Sequence, residues 1–320
     1  MHVGIAFNLK ADAPPAPGRP DDWYEEFDSP ITVRAIGDVL RARGWRVSEL
    51  GDGRPLVEKL LADPPDLVFN IAEGVGTSRS REARVPAVCE MLGIPYTGSD
   101  PLTLAVALDK DAARTIVAAA GVRVPAGGLY PATVPFPAIV KPAWEGSSKG
   151  IRGKCVVSSV DELAAAVAER SDYGQPMLVE EFVTGDEVTV GVWGNDPPRV
   201  IGALGVVPKT KEEHFVYSLE VKRDWENRVR YESPAKLAPT VQTALEHEAL
   251  RAYAALGCRD LCRIDFRIRA GVPYFIEANP LPGLNPETSD LIILGKGVGV
   301  SHADIVNQVV DAALARQTRT

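Results

Sequence analysis

The sequence predicts an α/β protein built of α+β lobes, with a doubly wound parallel sheet at its N-terminus. Over the first hundred residues, strand-like and helix-like segments alternate, which is typical of parallel βαβ units. The pattern changes near Pro101, and strands dominate from Glu187 onward. A chain of 320 residues is long enough for two domains or for three small lobes.

The N-terminal lobe is predicted to be a β–α–β–α–β unit. Its clearest elements are strands at Met1–Phe7, Trp45–Leu50 and Asp66–Ile71 and a helix from Pro30 to Gly44. Ser29 suits the N-cap of that helix and Pro30 suits its first position. The proline-rich stretch Ala11–Pro20 is expected to be an extended surface loop. Ligands of parallel sheets bind at the carboxyl ends of the strands, here Asn8–Lys10 and Asn70–Gly74.

The remaining chain is predicted to form two further lobes, which gives spans of 1–100, 101–185 and 186–320. The remaining helices are predicted at Arg81–Leu92, Asp109–Ala120, Val160–Arg170, Pro239–Leu256 and Ala303–Ala315. The remaining strands are predicted at Pro137–Pro142, Met177–Val183, Glu187–Trp193, Arg199–Val207, Arg263–Ile268 and Tyr274–Ala278. Glycines and prolines at the ends of these segments set most of the boundaries.

Composition and charge exclude several classes of protein. The chain has 43 acidic and 35 basic side chains and a net charge of −8, which argues against a general basic face for nucleic acid. No run approaches the roughly 20 apolar residues that cross a bilayer. Met1–Phe7 is too short for a signal-peptide core and lacks a basic leader. We therefore expect a cytoplasmic protein that binds neither nucleic acid nor a membrane.

The cysteine pattern argues against both a disulfide framework and a zinc site. The four cysteines are scattered, at Cys89, Cys155, Cys258 and Cys262. No histidine lies close to the last two in the sequence, so buried free thiols are the better interpretation. A metal, if the protein uses one, is therefore expected among oxygen ligands.

A lysine followed by a Gly/Ser loop is the first motif with chemical content. A strand ends at Lys141-Pro142, and the loop Glu145–Gly150 reads EGSSKG. Small residues let backbone N–H groups approach phosphate oxygens, and the lysine adds a positive charge. Such loops often only connect strands, so a β-hairpin with exposed polar residues is the alternative.

Two carboxylates at the end of an apolar strand form the second motif. Glu180 and Glu181 follow Met177-Leu178-Val179, and Glu187 comes soon after. Charged glutamates are rarely buried without a partner. They suit the amino group of an adenine and the hydroxyls of a ribose, although taken alone a solvated strand edge is the favoured interpretation.

The third motif consists of two pairs of polar residues on neighbouring strands. Arg263 and Asp265 are two residues apart, as are Glu277 and Asn279, so each pair lies on one face of its strand. Two carboxylates and an amide oxygen form the all-oxygen set that Mg²⁺ prefers. Salt bridges to Arg263 or Arg267 are the structural alternative.

In this order, the three motifs resemble the ATP-grasp superfamily, and within it the D-alanine–D-alanine ligases. The resemblance runs from about Gly4 to Ala315. Its most specific segments are Gly93–Ser99, Leu108–Lys110, Val140–Pro142 with Glu145–Ser148, Arg263–Asp265, and Glu277–Asn279 with Pro282-Gly283. It implies an ATP-grasp fold with an N-terminal substrate lobe (1–100), a small central lobe (101–185) and a C-terminal catalytic lobe (186–320).

The resemblance also implies how ATP and metal bind between the central and C-terminal lobes. Phosphates would meet Lys110, Lys141 and Ser148, and Asp265, Glu277 and Asn279 would hold two Mg²⁺ ions (or Mn²⁺), with Glu277 bridging them. Glu180 would bind the adenine amino group, the chain at Glu181, Phe182 and Val183 would complete base recognition, and Glu187 would bind the ribose. A flap over residues 208–235 would bring Lys222 to the γ-phosphate.

The chemistry implied by the resemblance is an ATP-dependent ligation of a carboxylate to an amine through an acyl phosphate. Arg263 and the backbone N–H of Gly283 would stabilise the oxyanion, and Ser147 belongs to the same catalytic set. The substrates would be small amino acids or peptides, the product a dipeptide for cell-wall synthesis, and the protein a homodimer.

The substrate half departs from the family pattern. The loop after the first strand is long and offers either Glu26 or Asp28 for the substrate ammonium, and Asn70–Gly76 lacks the family's histidine but offers Glu73. Glu287 is expected near the acceptor, with Arg79, Arg81 or solvent as its alternative partners. The identity of the substrates therefore stays open: one of them can be another amino acid, a peptide, a hydroxyl acceptor or a specialised metabolite. A phosphotransferase and a non-catalytic ATP-binding regulator are the competing classes.

Overall fold

The computed structural model describes residues 1–317, and its strands form three separate sheets. The N-terminal sheet is parallel, in the order β2-β1-β3. Its strands are β1 (His2–Phe7), β2 (Arg46–Gly51) and β3 (Leu67–Ile71), and its helices are α1 (Pro30–Ala42), α2 (Gly53–Ala62) and α3 (Arg84–Leu92). The predicted doubly wound parallel lobe is therefore confirmed.

The central sheet is antiparallel and has four strands in the order β4-β7-β5-β6. The elements of this part are α4 (Pro101–Leu108), α5 (Lys110–Ala119), β4 (Gly127–Leu129), β5 (Ala138–Pro142), β6 (Val156–Val157), α6 (Val160–Ala168) and β7 (Met177–Glu181). One hydrophobic cluster between this sheet and α6 contains Val140, Leu163 and Val179. The Gly/Ser loop connects β5 to β6, as an irregular segment.

The C-terminal sheet is also antiparallel, with the order β10-β9-β8-β11-β12. Its elements are β8 (Asp186–Trp193), β9 (Arg199–Pro208), α7 (Leu219–Arg223), α8 (Trp225–Arg228), β10 (Val229–Glu232), α9 (Pro239–Leu256), β11 (Leu261–Arg269), β12 (Val272–Asn279), α10 (Asp290–Gly297) and α11 (His302–Gln317). The helix predicted at Pro239–Leu256 coincides with α9.

Two hydrophobic cores cross from one predicted lobe to another. Ala113 and Val117 of α5 pack with α9 and the C-terminal sheet. Val306 and Val310 of α11 pack against the N-terminal sheet and α1. The spans 1–100, 101–185 and 186–320 stay a prediction, although each sheet lies inside one of them.

Three helix predictions need correction. The helix predicted from Arg81 begins at Arg84, because the backbone before it forms successive turns, in which Arg81 N–H donates to the carbonyl of Ser78 and Ala83 N–H to that of Ser80. The helix predicted at Asp109–Ala120 coincides with α5, which Asp109 caps, but the helix α4 directly before it was not predicted. The helix α10 was not predicted, because the proline-rich segment Pro280–Pro286 directly before it indicated an irregular loop.

The cysteine prediction is confirmed in the part of the chain that the structure describes. All four cysteines are buried and free of disulfides. Burial raises the pKa of the Cys89 thiol to about 12, which keeps it protonated and unreactive near neutral pH. None of the helices within residues 1–317 is long and apolar enough to cross a membrane.

A glycine at the turn between β7 and β8 is required by the packing of the two sheets. Gly185 has φ of +131°, and a Cβ there would lie 2.0 Å from the carbonyl oxygen of Ile268. We expect Gly185→Ala to lower the free energy of unfolding by about 2–4 kcal/mol, because strain and a backbone clash add. Urea denaturation checks this value.

Gly44→Ala is the matched control for this measurement. Gly44 also has positive φ, at +76°, but no atom lies within 4 Å of the position of its Cβ. Only the left-handed backbone is then penalised, and we expect a loss of about 1 kcal/mol. Equal losses in both variants would contradict the assigned clash at Gly185.

Candidate active site

A cleft between the central and C-terminal sheets contains most of the residues predicted to bind ATP. Strands β5 and β7 supply one wall, and β8, β11 and β12 supply the other. The predicted residues that line this cleft are Lys141, Ser148, Glu180, Glu181, Phe182, Val183, Glu187, Lys222, Asp265 and Glu277. Ile139, Phe266 and Ile276 add apolar surface between them. The cleft thus combines an apolar wall with charged groups.

The central-sheet wall of the cleft carries a buried ion-pair network. Lys141 Nζ lies 2.8 Å from Glu180 Oε2, and both side chains are almost completely buried. Arg114 of α5 donates from Nε to the other oxygen of Glu180 over 3.1 Å. Glu180 is therefore held by two cations, a partner the sequence analysis missed because Arg114 is far away in the chain.

Glu187 faces Glu180 from the opposite wall. Its Oε2 lies 3.3 Å from Arg267 Nη1, and it also accepts a hydrogen bond from the backbone N–H of Tyr217 over 3.4 Å. Burial raises the pKa of Glu187 despite the opposing charge of Arg267. Glu187 lines the cleft, so its carboxyl oxygens can accept a hydrogen bond from a hydroxyl group of a ligand there.

The polar residues of β11 and β12 form a compact square on one face of the sheet. In the antiparallel register, Arg263 lies opposite Asn279, and Asp265 lies opposite Glu277. Arg263 Nη2 is 2.9 Å from Asp265 Oδ2, and Nη1 is 3.4 Å from Asp290 Oδ2. Each predicted pair, Arg263 with Asp265 and Glu277 with Asn279, lies on one face of its strand because side chains two residues apart point to the same side.

The two carboxylates of this square have opposite electrostatic environments. Burial would raise the pKa of Glu277, but Lys110, 2.7 Å from its Oε2, and Lys141 outweigh burial and hold it well below the usual range. Burial raises the pKa of Asp265, and the charge of Arg263 opposes this shift. Lys110, at the first position of α5, thus keeps Glu277 ionised.

The donor set of the square fits a hard divalent cation. Asp265, Glu277 and Asn279 supply carboxylate and amide oxygens from adjacent strand positions, beside a cleft with room for phosphates. Across residues 1–317, no cluster of three His, Cys, Asp or Glu side chains has the geometry of a protein-only metal site. A metal here would therefore take part of its coordination from a bound phosphate.

A second cavity adjoins the cleft at the end of the same square that Arg263 and Asn279 form. The predicted residues that line it are Glu26, Asp28, Glu73, Lys110, Ser147, Arg263, Asn279 and Gly283. Arg263 and Asn279 therefore belong to this cavity, while Asp265 and Glu277 belong to the cleft. The two spaces adjoin along the face of β11 and β12 that carries the square. A group bound in one space can therefore reach a group bound in the other.

The Gly/Ser loop closes the second cavity through a buried charge cluster. Glu145 and Glu26 both contact Arg81 and Lys149, and all four side chains are almost completely buried. Glu26 also accepts a hydrogen bond from the backbone N–H of Gly146. The cations outweigh burial and hold the pKa of Glu26 at about 2. The Gly/Ser loop is therefore not an exposed hairpin. Glu26 binds it through Lys149 and the backbone N–H of Gly146.

The segment predicted to be a flap lines the cleft through Tyr217 and Lys222 and contains α7, α8 and β10. Ser148 Oγ donates to the carbonyl of Tyr217 over 2.9 Å, and Leu219 N–H donates to the carbonyl of Ile151 over 3.0 Å. The Tyr217 hydroxyl donates to Asp290 over 3.1 Å. Lys222 Nζ lies 4.9 Å from the Tyr217 ring centroid, inside the cleft.

Glu287 is the one predicted site residue that the structure leaves outside both spaces. Its side chain is exposed, and its backbone N–H donates to the side chain of Asn285. Arg79 and Arg81, its alternative partners, pair with Asp109 and with Glu26 instead. The prediction that Glu287 lies near the acceptor is corrected, because the Asn285 turn directs residue 287 to solvent.

Several residues of the site were missed by the sequence analysis. Glu82 lines the second cavity, and Asp290 contacts both Arg263 and Tyr217. Asp290 opens the unpredicted helix α10, so its position had no signal in the sequence. Glu82 follows Arg81 directly, just before the predicted apolar helix. Two neighbouring charged residues at such a position were the signal that could have indicated a site residue.

This geometry defines a class of protein. A lysine-bearing strand with a Gly/Ser loop, a paired-carboxylate wall and a lysine-bearing flap surround one cleft, which is the arrangement of an ATP-grasp ligase. The match to a model of the D-Ala D-Ala ligase C-terminus, over residues 130–311, narrows the class. The chain belongs to the D-alanine–D-alanine ligase family, an assignment that confirms the resemblance found in the sequence.

Individual relatives agree with this assignment. The chain is 32% identical over 298 residues to the D-alanine–D-alanine ligase of Gluconobacter oxydans, covering 89% of this chain and 94% of that protein. It is also 32% identical over 293 residues to the ligase of the same name from Syntrophotalea carbinolica, covering 89% of this chain and 91% of that protein.

Solved structures share the fold. The D-alanine–D-alanine ligase of Bacillus anthracis, complexed with ATP, superposes with a TM-score of 0.75 at 18% identity, covering 100% of this chain and 98% of that one. The VanG D-Ala:D-Ser ligase of Enterococcus faecalis superposes with a TM-score of 0.73 at 21% identity, covering 98% and 99%. The ATP-grasp fold predicted from the sequence is therefore confirmed.

The carboxyl group of Asp28 makes the stability of the protein depend on pH. Burial raises the pKa of Asp28 from 3.8 to about 7. Between these values the folded state binds more protons than the unfolded state, so this group costs stability as the pH rises from about 4 to 7. We expect Asp28→Asn to be more stable than the wild type by about 2 kcal/mol at pH 8, and nearly equal at pH 4.

Urea denaturation of the substrate-free protein at the two pH values measures this difference. Asp38→Asn is the control, since Asp38 is 76% exposed on α1 and pairs only with Arg41. We expect its effect to stay within about 0.5 kcal/mol at either pH. An Asp28→Asn variant that is less stable than the wild type at pH 8 would contradict the assigned burial cost.

Proposed function

We propose that this protein joins two small amino acids into a dipeptide, with ATP converted to ADP and phosphate. The observation that carries the proposal is the shared β11–β12 wall, with Asp265 and Glu277 facing the cleft and Arg263 and Asn279 facing the second cavity. ATP in the cleft would place its γ-phosphate beside a carboxylate in the second cavity. The relatives named as D-alanine–D-alanine ligases support amino acids as substrates.

The nucleotide in this proposal lies along the cleft. Phe182 and Val183 contact the adenine with Glu180 and Glu181 beside it, Glu187 accepts a hydrogen bond from the ribose, and Lys141, Lys110 and Ser148 bind phosphate oxygens. Mg²⁺ held by Asp265, Glu277 and Asn279 supplies positive charge next to the phosphates when it is bound. Lys110 and Lys141 then offset the repulsion between the triphosphate and the incoming carboxylate.

The first chemical step forms an acyl phosphate. An oxygen of the donor carboxylate attacks the γ-phosphorus, the bond from this phosphorus to the β-phosphate oxygen breaks, and ADP leaves with that electron pair. Lys222 of the flap lies at the cleft and would stabilise charge on the transferred group. The flap and the Gly/Ser loop, joined through Ser148 and Tyr217, keep water from the acyl phosphate.

The second step forms the amide bond. The acceptor amine, as the free base, attacks the carbonyl carbon, and the resulting oxyanion is stabilised by Arg263 and the Gly283 backbone N–H, with Ser147 nearby. Collapse of this intermediate expels phosphate, and the nitrogen loses its proton. Arg263 is held ready for this role by its contacts with Asp265 and Asp290.

The experiment that tests the proposal is ADP release with Mg²⁺-ATP against a panel of D- and L-amino acids and dipeptides, with the products weighed by mass spectrometry. We expect one new amide and one phosphate for each ADP. A stable acyl phosphate as the final product would support a phosphotransferase, and tight ATP binding with no turnover would support a regulator. The same assay without Mg²⁺, or with Mn²⁺, tests the metal.

Lys222 offers a sharper test of the first step. We expect Lys222→Ala to lower kcat by about 100-fold or more, and to raise KM for ATP by less than tenfold, because this lysine acts mainly on the transferring phosphate. Lys211→Ala, an exposed lysine of the same flap, is the control and should keep both constants. An unchanged kcat in Lys222→Ala would remove Lys222 from the mechanism.

The resemblance also suggests a homodimer, and this part of the proposal is independent of the chemistry. Met91 and Leu102 are 85% and 73% exposed on neighbouring helices of the N-terminal side, which supports an interface there. Sedimentation of the wild type and of Met91→Glu tests it. We expect a dimer that the added charge weakens.

A further inference from the structure

Arg267 lies at the point of the cleft where three parts of the site meet. It belongs to β11, is only 7% exposed and lines the cleft. In the antiparallel register it stands directly opposite Glu187 of β8, the residue proposed to bind the ribose. The sequence analysis treated Arg267 only as an alternative salt-bridge partner for the carboxylates of the square. Its contacts show that it joins Glu187 to the turn before β8 and to the flap.

The two terminal nitrogens of the Arg267 guanidinium make four polar contacts. Nη1 lies 3.3 Å from Glu187 Oε2 and donates to the carbonyl of Phe215 over 3.0 Å. Nη2 donates to the same carbonyl over 3.0 Å and to the carbonyl of Gly185 over 3.2 Å. The guanidinium carbon also lies 4.6 Å from the centroid of the Phe182 ring, another wall of the cleft. One planar fork thus holds three oxygens at once, which the single ammonium of a lysine does not reproduce.

Arg267 and Glu187 together bind the first residues of the flap. We call residues 215–217 the flap root. The carbonyl of Phe215 accepts from both Nη nitrogens of Arg267. Two residues further on, the backbone N–H of Tyr217 donates to Glu187 Oε2 over 3.4 Å. The arginine–glutamate pair therefore holds the backbone of the flap root through one acceptor and one donor.

The flap root is also connected to the groups proposed to act on phosphate. Ser148 of the Gly/Ser loop donates to the carbonyl of Tyr217 over 2.9 Å. Lys222 Nζ lies 4.9 Å from the centroid of the Tyr217 ring, and the helix α7 that carries Lys222 begins at Leu219. A displacement of the flap root therefore moves the groups that position Ser148 and Lys222.

Apolar packing keeps the flap folded without help from Arg267. Phe215, Val221 and Val229 of the flap pack against Val206 of β9 in one buried cluster. Such packing is not directional, so it holds the flap on the sheet but does not fix its backbone orientation. The hydrogen bonds of Arg267 supply that direction.

We propose that Arg267 is a positioning residue that couples ribose binding to the flap, because it orients Glu187 and holds the flap root with the same guanidinium. This inference rests on the nucleotide placement in the proposed function. Arg267 and the Tyr217 N–H both contact Oε2 of Glu187, so Oε1 is the oxygen that a ribose hydroxyl would meet. A hydroxyl bound there fixes the carboxyl group, and through it the flap root.

The coupling gives the ribose hydroxyls a role in the chemical step. Binding energy from a part of a substrate that does not react can be used to position groups that do. Here the sugar contact would stabilise the flap arrangement that places Lys222 beside the transferring phosphate. By linkage, a nucleotide without ribose hydroxyls would bind more weakly and also leave the flap less ordered.

Hydrogen exchange with mass spectrometry on the whole protein tests this coupling without turnover. Exchange in residues 215–223 is measured with saturating Mg²⁺-ATP and with saturating Mg²⁺-2′,3′-dideoxyATP, which lacks both ribose hydroxyls. Titration calorimetry establishes saturation for each nucleotide. We expect ATP to slow exchange in this segment about tenfold more than the dideoxy nucleotide, the effect of one hydrogen bond to a charged group.

Variants of Arg267 connect the difference to this side chain. Arg267→Met removes the fork but keeps an unbranched side chain, and we expect the two nucleotides to slow exchange equally, within about twofold. Arg267→Lys takes its place if Arg267→Met fails to fold, and we expect about threefold or less of the ATP advantage to remain. Arg199→Met, an exposed arginine at the other end of β9, is the control and should keep the difference of the wild type.

The outcomes separate this inference from the proposed function. Equal protection by the two nucleotides in the wild type would overturn the coupling. A tenfold ATP advantage that persists in Arg267→Met, with weaker protection by both nucleotides, would assign Arg267 a structural role only and would also overturn it. Absence of ADP release with every amino acid would overturn the proposed function, while the exchange measurements still decide the role of Arg267. Absence of ATP binding would overturn both.

Discussion

The need to neutralise buried charge is the constraint on which the rest of this structure depends. The site brings Lys110, Lys141 and Arg263 together with Glu180, Asp265 and Glu277, and all six side chains are largely shielded from solvent. Each charge in such a place needs a partner at contact distance. The Lys110–Glu277 pair joins α5 to the C-terminal sheet, whereas the Lys141–Glu180 and Arg263–Asp265 pairs each lie within one sheet.

The same pairs explain how the site accepts its reactants. Lys110 pairs with Glu277, and Arg263 pairs with Asp265, at the β11–β12 square. In the proposed reaction, phosphates and a metal ion would bring charges of both signs, so their binding would exchange one set of partners for another without exposing a bare charge. Catalysis therefore begins from groups already placed and charged, which is the preorganisation that electrostatic stabilisation requires.

Much of the fold was predictable from local sequence, and so was the gathering of most residues proposed to bind ATP in one cleft. Strand periodicity placed Arg263 with Asp265 and Glu277 with Asn279, and their register then followed from pairing of adjacent strands. Contacts between distant segments had no such signal. Arg114 with Glu180, Arg81 with Glu145, and Asp290 with Arg263 depend on how whole elements pack. The misplaced Glu287 shows the same limit, since one Asn285 turn reversed its direction.

The buried position of Arg81 has a consequence for the evolution of such enzymes by recombination. Its guanidinium comes from the N-terminal side, but its partner Glu145 and that partner's neighbour Lys149 come from the Gly/Ser loop. A chimaera that exchanges one parent's N-terminal lobe for another's keeps the Arg81–Glu26 and Lys149–Glu145 pairs, but it loses the buried contacts between these two pairs unless both segments come from the same parent. Crossovers between residues 82 and 145 are therefore disfavoured, and specificity would drift by point changes around a charge cluster inherited as a unit.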